Sequence, residues 1–269
     1  MRIAIAGGGI AGLGTAWLLH RRGHDVTLFE AAANAGGHTA TVDVTLDGRT
    51  FPVDTGFLVY NERTYPRLVA LFDELGVETV ASDMSFSCRV DAAGLEWAGT
   101  DVASLFAQPR NALRPRFWRM LADILRFNRE ATAIANGGAH ASLSLGEFLA
   151  QRGYTAPFRD WYLLPMAAAI WSSPKRDILD FPLASFVAFC RNHGLLQITD
   201  RPQWRTVRGG ARTYVERIVA ALPDVRLATP VVRAHRRADH VEVVTHGHPA
   251  ERFDAIVLAC HSDQARAIL

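Results

Sequence analysis

Near its start the chain carries Gly7-Gly8-Gly9-Ile10-Ala11-Gly12 and, eighteen positions after the last of these, Glu30. A G-x-G-x-x-G turn that opens a helix brings bare main chain up to a phosphate. Gly7 permits the tight turn, Gly9 lets a pyrophosphate approach the backbone, and Gly12 lets helix pack on strand. The N–H groups at the helix start, at Ile10 and Ala11, then face the phosphate charge. A carboxylate about 20 residues on accepts the hydroxyl pair of a ribose. Together these residues predict dinucleotide binding, and an acid at position 30 disfavours a 2′-phosphate and so NADP. A glycine run alone could be an ordinary turn, so the flanking elements decide.

Those elements are present in the required order. Arg2 to Ala6 is an apolar run that reads as a buried parallel strand, with no room expected in front of it for a leader peptide. Leu13, Ala16, Trp17 and Leu19 give a helical pattern that stops at Gly23, and Asp25 to Phe29 reads as a second strand ending in Glu30. A nicotinamide dehydrogenase would then continue alternating strand and helix. This chain instead has a small-residue loop, Ala31 to Ala35, then Gly36-Gly37-His38-Thr39 and two short alternating strands, Val42 to Leu46 and Thr50 to Val53. Asp47-Gly48 between them is a hairpin signal.

Composition narrows the class. With 269 residues, 49% of them hydrophobic, and a formal charge of +2, the chain is globular and long enough for one large core or two linked ones. Lysine occurs once, at Lys175, and no basic tract interleaved with aromatics suggests nucleic acid. Cys88, Cys190 and Cys260 are odd in number and widely spaced, which fits a reducing, cytoplasmic setting and gives neither a disulfide framework nor a zinc site. Ten histidines include no H-E-x-x-H, so no metal site is expected, and His235, His240, His246 and His248 read as surface residues. No G-x-S-x-G supports a serine hydrolase. The longest apolar run, Tyr162 to Trp171, is broken by Pro165 and too short to span a membrane.

Further along, Asp54-Thr55-Gly56-Phe57 closes the hairpin, and Asn61 to Leu75 reads as a helix with Tyr65, Leu68, Val69 and Phe72 on one face. Asp54 could carry a proton, but a capping carboxylate fits its place better. Strands are expected at Val77 to Ala81, Ser85 to Val90 and Gly94 to Trp97. Arg116 to Ala135 is a long helix whose apolar residues are Phe117, Met120, Leu121, Ile124, Leu125 and Phe127. That stripe is either core-facing or a contact with a membrane surface. Asn136 to Ala139 breaks the helix, and Ser144 with Glu147 makes a capping box for the next. The apolar half that follows, Trp161 to Trp171 and Phe181 to Cys190, would serve equally as the wall of a cavity or as a helical core. Trp204-Arg205-Thr206-Val207-Arg208-Gly209-Gly210 precedes a helix from Thr213 to Leu222. Strands are expected at Val225 to Leu227, Pro230 to Ala234, Val241 to Thr245 and Ala255 to Ala259.

The order strand, G-x-G-x-x-G, helix, strand, Glu30, loop, Gly36-Gly37, followed by VDTGFLVYNERTYPRL and later W-x-T-V-x-G-G, resembles the FAD-dependent amine oxidase and phytoene desaturase-like superfamily. The resemblance implies an α/β chain with a Rossmann-like, glutathione reductase-type FAD-binding domain (residues 1–80 and 205–269) and an inserted α+β, largely helical substrate domain (81–204). It implies FAD held by Gly7, Gly9, Ile10, Ala11, Gly12 and Glu30, with Gly36, Gly37, His38 and Thr39 beside the cofactor. Many members have arginine where His38 stands. Asp54, Gly56 and Phe57 are implied near the flavin ring, and Val231 at the adenine. The activity implied is hydride removal from a C–H or C–N bond of an apolar, lipid-like small molecule, with no catalytic residue assigned. In this family a further glycine-rich segment follows the last strand, and some relatives place a lysine near the flavin there, a motif that Lys175 does not match. The alternatives are an NAD-dependent dehydrogenase or a non-catalytic nucleotide-binding fragment.

Overall fold

A computed structural model describes residues 1–137, 142–171, 174–197 and 202–269, without the side chains of residues 175 and 176. The chain forms two compact units, one of residues 1–82 with 204–269 and one of residues 83–203. In chain order the first begins with β1 (Arg2–Ala6), α1 (Ile10–Arg21), β2 (Asp25–Phe29), β3 (Thr41–Leu46), β4 (Arg49–Asp54), β5 (Tyr60–Asn61), α2 (Pro66–Leu75) and β6 (Thr79–Ser82). The second contains β7 (Ser87–Val90), β8 (Leu95–Ala98), α3 (Val102–Leu105), α4 (Pro115–Ala135), α5 (Leu145–Gln151), α6 (Ala156–Phe158), α7 (Leu164–Trp171), α8 (Lys175–Leu179) and α9 (Leu183–Asn192). The first then resumes with β9 (Trp204–Val207), α10 (Arg212–Ala221), β10 (Asp224–Arg226), β11 (Val231–Arg236), β12 (Val241–Thr245), β13 (Glu251–Phe253), β14 (Ala255–Leu258) and α11 (Ser262–Ile268).

The heart of the first unit is a parallel sheet in the order β10-β2-β1-β14. After their first residue its two central strands are buried throughout, because both faces are covered. Leu13 and Ala16 of α1 and Tyr214, Val215 and Ile218 of α10 pack in the same buried cluster as Ile3, Ile5, Val26 and Leu28. Ala6 is level with Phe29 on one side and Leu258 on the other, so three strands end together. In open α/β sheets that edge is where ligands bind. Ala4 and Phe29 also join Val243 and Phe253 of the antiparallel sheet β11-β12-β13.

The hairpin β3–β4 turns at Asp47 (φ 49°) and Gly48 (φ 74°), the two positive φ values of the tight turn that suits strand twist. Its side chains stay in solvent: Val42, Val44, Leu46, Phe51 and Val53 are all exposed. The helix expected from Asn61 begins instead at Pro66. Proline holds the preceding Tyr65 out of helical geometry, and the Asn61 side chain accepts from the Thr64 N–H and hydroxyl in a turn of its own. Tyr60–Asn61 pairs with β9, which also pairs with β6.

In the second unit the apolar run of α7 and α9 is core. Leu163, Leu164, Ala167, Leu183, Phe186, Val187 and Cys190 are buried together with Phe127, Phe148 and Phe158. Ser144 caps α5 in the expected reciprocal bond with Glu147. On α4 the stripe Phe117, Met120 and Phe127 faces inward, with Leu121 and Ile124 partly buried, so it is not a membrane-facing surface; Leu125 alone of that set is exposed. Asp123 is buried with it, since its carboxylate accepts from both the N–H and the hydroxyl of Thr155. A single π-helical turn, Arg159–Leu163, joins α6 to α7. Of the breaker read at Asn136 to Ala139, residues 138 and 139 lie outside the described residues, as does the Lys175 side chain. No described helix is long and apolar enough to cross a membrane.

Candidate functional site

At the carboxyl edge of the parallel sheet the glycines are tight everywhere except at one point. A Cβ on Gly7 (φ 114°) would lie 2.5 Å from the Ala259 carbonyl oxygen, and one on Gly12 only 1.8 Å from the Gly7 carbonyl oxygen. Gly36 (φ 122°) and Gly37 (φ 56°) are equally constrained, the first against the Thr39 carbonyl at 2.7 Å and the second against the Gly9 Cα at 3.1 Å. Gly36 donates its N–H to the Gly8 carbonyl at 2.8 Å, so the doublet is laced to the first loop. Around Gly9 itself a Cβ would meet nothing within 4 Å. Gly9 is the N-cap of α1 and offers no side chain to the helix start, where Ile10 and Ala11 stand exposed. The first N–H groups of such a helix lack intrahelical partners and carry partial positive charge.

Glu30 closes this edge. Its carboxylate accepts from the Gly8 N–H at 2.6 Å and the Ala32 N–H at 2.7 Å, which fixes its orientation and leaves lone pairs for further donors. His38 is exposed, and its ring lies parallel to that of His261, with centroids 6.1 Å apart. Thr39 turns inward: it is 4% exposed and shares a hydrogen bond with Tyr214, whose hydroxyl burial pushes up to about 12.

Asp54 is a structural carboxylate. It accepts from the Thr41 hydroxyl at 2.6 Å and the Ala211 N–H at 2.8 Å, tying the end of the hairpin to the start of α10. Gly210 (φ 86°) fits into this junction, where a Cβ would lie 2.5 Å from the Thr41 methyl. Gly56 leaves room for the His38 carbonyl, 2.0 Å from where its Cβ would be. The ring of Phe57 packs edge-on to Tyr65, 6.0 Å between centroids, rather than standing free. Asp54, which the resemblance implies near a flavin ring, lines a groove of about 360 Å³ together with Leu58, Val59, Thr206, Gly209 and Gly210. Trp204 is buried in β9. Val231 sits half-buried at the start of β11, against the Phe29–Phe253 cluster.

Sequence reasoning missed the bond from Gly8 to Glu30 and the residues Ala259 and His261. The last two follow β14, and the rule that ligands gather beyond the carboxyl ends of parallel strands was the available signal. Among the described residues no group of three or more His, Cys, Asp or Glu side chains could hold a metal ion.

Comparison with known proteins fits this geometry. The model of the family described as flavin containing amine oxidoreductase matches residues 10–269. A Mycobacterium tuberculosis protein provisionally named flavin-containing monoamine oxidase AofH is 27% identical over 271 residues, 95% of this chain and 56% of that one. A carotenoid phi-ring synthase of Streptomyces griseus is 34% identical over 140 residues, 48% of this chain and 25% of the relative. Among solved structures, putrescine oxidase bound to putrescine superposes with a TM-score of 0.74 at 21% identity, covering 100% of this chain and 60% of that one, and so shares the fold. The chain thus spans a little over half the length of the relatives it matches end to end. With a glycine loop of this geometry and a family match across nearly all its residues, the chain belongs to the flavin containing amine oxidoreductase family.

Proposed function

We propose that this chain binds FAD non-covalently and is the cofactor-binding part of an oxidase that removes a hydride from a C–H bond of a small apolar substrate, next to nitrogen or within a hydrocarbon. One observation carries the reading: the glycine loop is packed to contact everywhere but at Gly9, where the open helix start faces solvent. Donors and space for an anion of pyrophosphate size occur together there. Glu30, held by Gly8 and Ala32, accepts from the adenosine ribose. His38 stands beside the phosphates in place of a permanent cation, and the groove lined by Asp54, Leu58, Thr206 and Gly209 takes the ring system. Val231 borders the adenine.

Bound flavin supplies the two-electron acceptor. The residues of this chain bind it, orient it and exclude water around it; none is assigned a proton transfer, because Asp54 is spent on Thr41 and Ala211. The apolar substrate class draws support from the carotenoid relative, and the amine class from the family description.

The test is the absorbance spectrum of the purified chain with release of any bound nucleotide, followed by FAD titration of Glu30→Ala. Flavin bands in the parent and weakened retention in the variant are expected. A colourless protein that instead binds NADH overturns the reading, and unchanged FAD affinity in the variant moves the adenosine elsewhere. Bleaching of bound flavin by an amine or a polyene without oxygen then identifies the substrate class.

A further inference from the structure

We propose that the second unit carries a docking surface for anionic lipid bilayers, formed by the corner from α3 to the first half of α4. The starting point is charge. Between Asp101 and Asp123 there is no acidic residue, whereas Arg110, Arg114, Arg116 and Arg119 all fall there. The acids of α4 are withdrawn from the surface. Asp123 is 7% exposed and holds Thr155, and Glu130 is engaged by Arg152 and Tyr154. Arg126 lies over the Tyr154 ring, while Arg119 and Arg129 remain exposed on the outer face.

The same corner presents large apolar side chains that the core does not use: Val102 at 72% exposure, Leu113 at 85%, Trp118 at 51% and Leu125 at 56%. The first three belong to one patch. Trp118 donates its indole N–H to the Ala112 carbonyl at 2.8 Å, next to Leu113, and its ring packs on Phe106 at 5.6 Å, one turn beyond Val102. Arg110 and Arg114 are steadied by the carbonyls of Gly94 and Ala93. Single exposed apolar residues need no explanation, but a cationic rim around protruding Leu, Val and Trp is the pattern of interfacial membrane contacts. Leu113 and Val102 stand out into solvent. A folded partner would need matching pockets for Leu113 and Val102, whereas a bilayer accepts protruding side chains without one, and anionic headgroups complement the arginines. This surface differs from the buried stripe of α4 and does not depend on flavin binding.

The experiment is co-sedimentation of the 269-residue chain with vesicles of phosphatidylcholine containing phosphatidylglycerol, against phosphatidylcholine alone. Binding to the anionic vesicles, reversed by salt, is expected. Removing one charge in Arg119→Gln should weaken it about fivefold. Leu113→Ser should weaken it separately, with unchanged melting temperatures for both variants because these side chains are exposed. Absence of vesicle binding, equal binding to neutral vesicles, or binding indifferent to both variants overturns the proposal. A colourless chain that still binds anionic vesicles leaves it standing while the flavin reading fails.

Discussion

The two units reach order by opposite means. In the first, the decisive positions are ones where a side chain is missing: Gly7, Gly12, Gly36, Gly56 and Gly210 each sit where a Cβ would strike backbone or a neighbouring side chain. In the second, side chains do the ordering, through a cluster in which Phe127 contacts Phe148, Tyr154, Phe158 and Phe186 at centroid distances of 5.4 to 6.4 Å. Backbone-to-backbone packing brings main-chain donors to a ligand but cannot relax around an added atom. An aromatic core tolerates exchange of shape at constant volume and offers a ligand no donors.

The sharpest way to break this contrast is a pair of alanine substitutions in one motif. Gly12→Ala drives a methyl into the Gly7 carbonyl, with no flexible atom to yield, and should cost more than about 5 kcal/mol, seen as loss of soluble, cooperatively unfolding protein. Gly9→Ala meets no protein atom, so its stability should stay within about 0.5 kcal/mol of the parent. Its FAD affinity should fall roughly tenfold, a loss of about 1.4 kcal/mol, because the methyl occupies the open helix start. Equal stability of the two variants would end the claim that the loop is packed everywhere but there.

Next in size is Phe127→Ala in the second unit, expected to cost about 3–5 kcal/mol by denaturant titration. Phe127→Leu should recover most of it, as the cluster repacks. Smaller again is an electrostatic effect at the sheet edge, where Arg226 bridges Asp224 and Glu251. Burial pushes the Asp224 carboxyl up, but the bonds from Arg226 and Thr27 outweigh it, and the bond from Arg226 holds Glu251 down. Both folded values lie below the ordinary 3.8 and 4.5. Their stabilisation is therefore present above that range and is lost as pH falls through the folded values. Arg226→Met should flatten the fall of melting temperature between about pH 5 and pH 2. At neutral pH it should cost under about 1 kcal/mol, since these groups are partly solvated. An unchanged acid limb would assign that sensitivity to other carboxylates.

Local chemistry was readable from the sequence where a residue type allows only one backbone answer. Asp47-Gly48 gave the hairpin turn, Ser144 with Glu147 gave the helix cap, and the apolar runs at β1 and β2 gave the buried parallel strands. What no local pattern carries is register and depth. That β10, near the chain's far end, pairs with β2 is a tertiary choice, as is the exposure of Val42, Val44 and Leu46, whose alternation equally describes a half-buried strand. Asp123 and Asn128 look like the wet side of α4, and only the turn at Thr155 explains why Asp123 is buried. At the site, the motif glycines and Glu30 were named from spacing. The parallel rings of His38 and His261 were not, because they meet across more than two hundred residues of chain.

The exposed hairpin bears on how the protein behaves in concentrated solution. A two-stranded ribbon with valine, leucine and phenylalanine in water on both strands is a template for adding a third strand from a neighbouring molecule. Pro52, in the middle of β4 opposite Asp43, withholds one N–H and so blunts that strand, but β3 contains no proline and only Asp43 as a charge. Self-association of this chain should accordingly begin at β3, and whatever covers that strand keeps the protein dispersed.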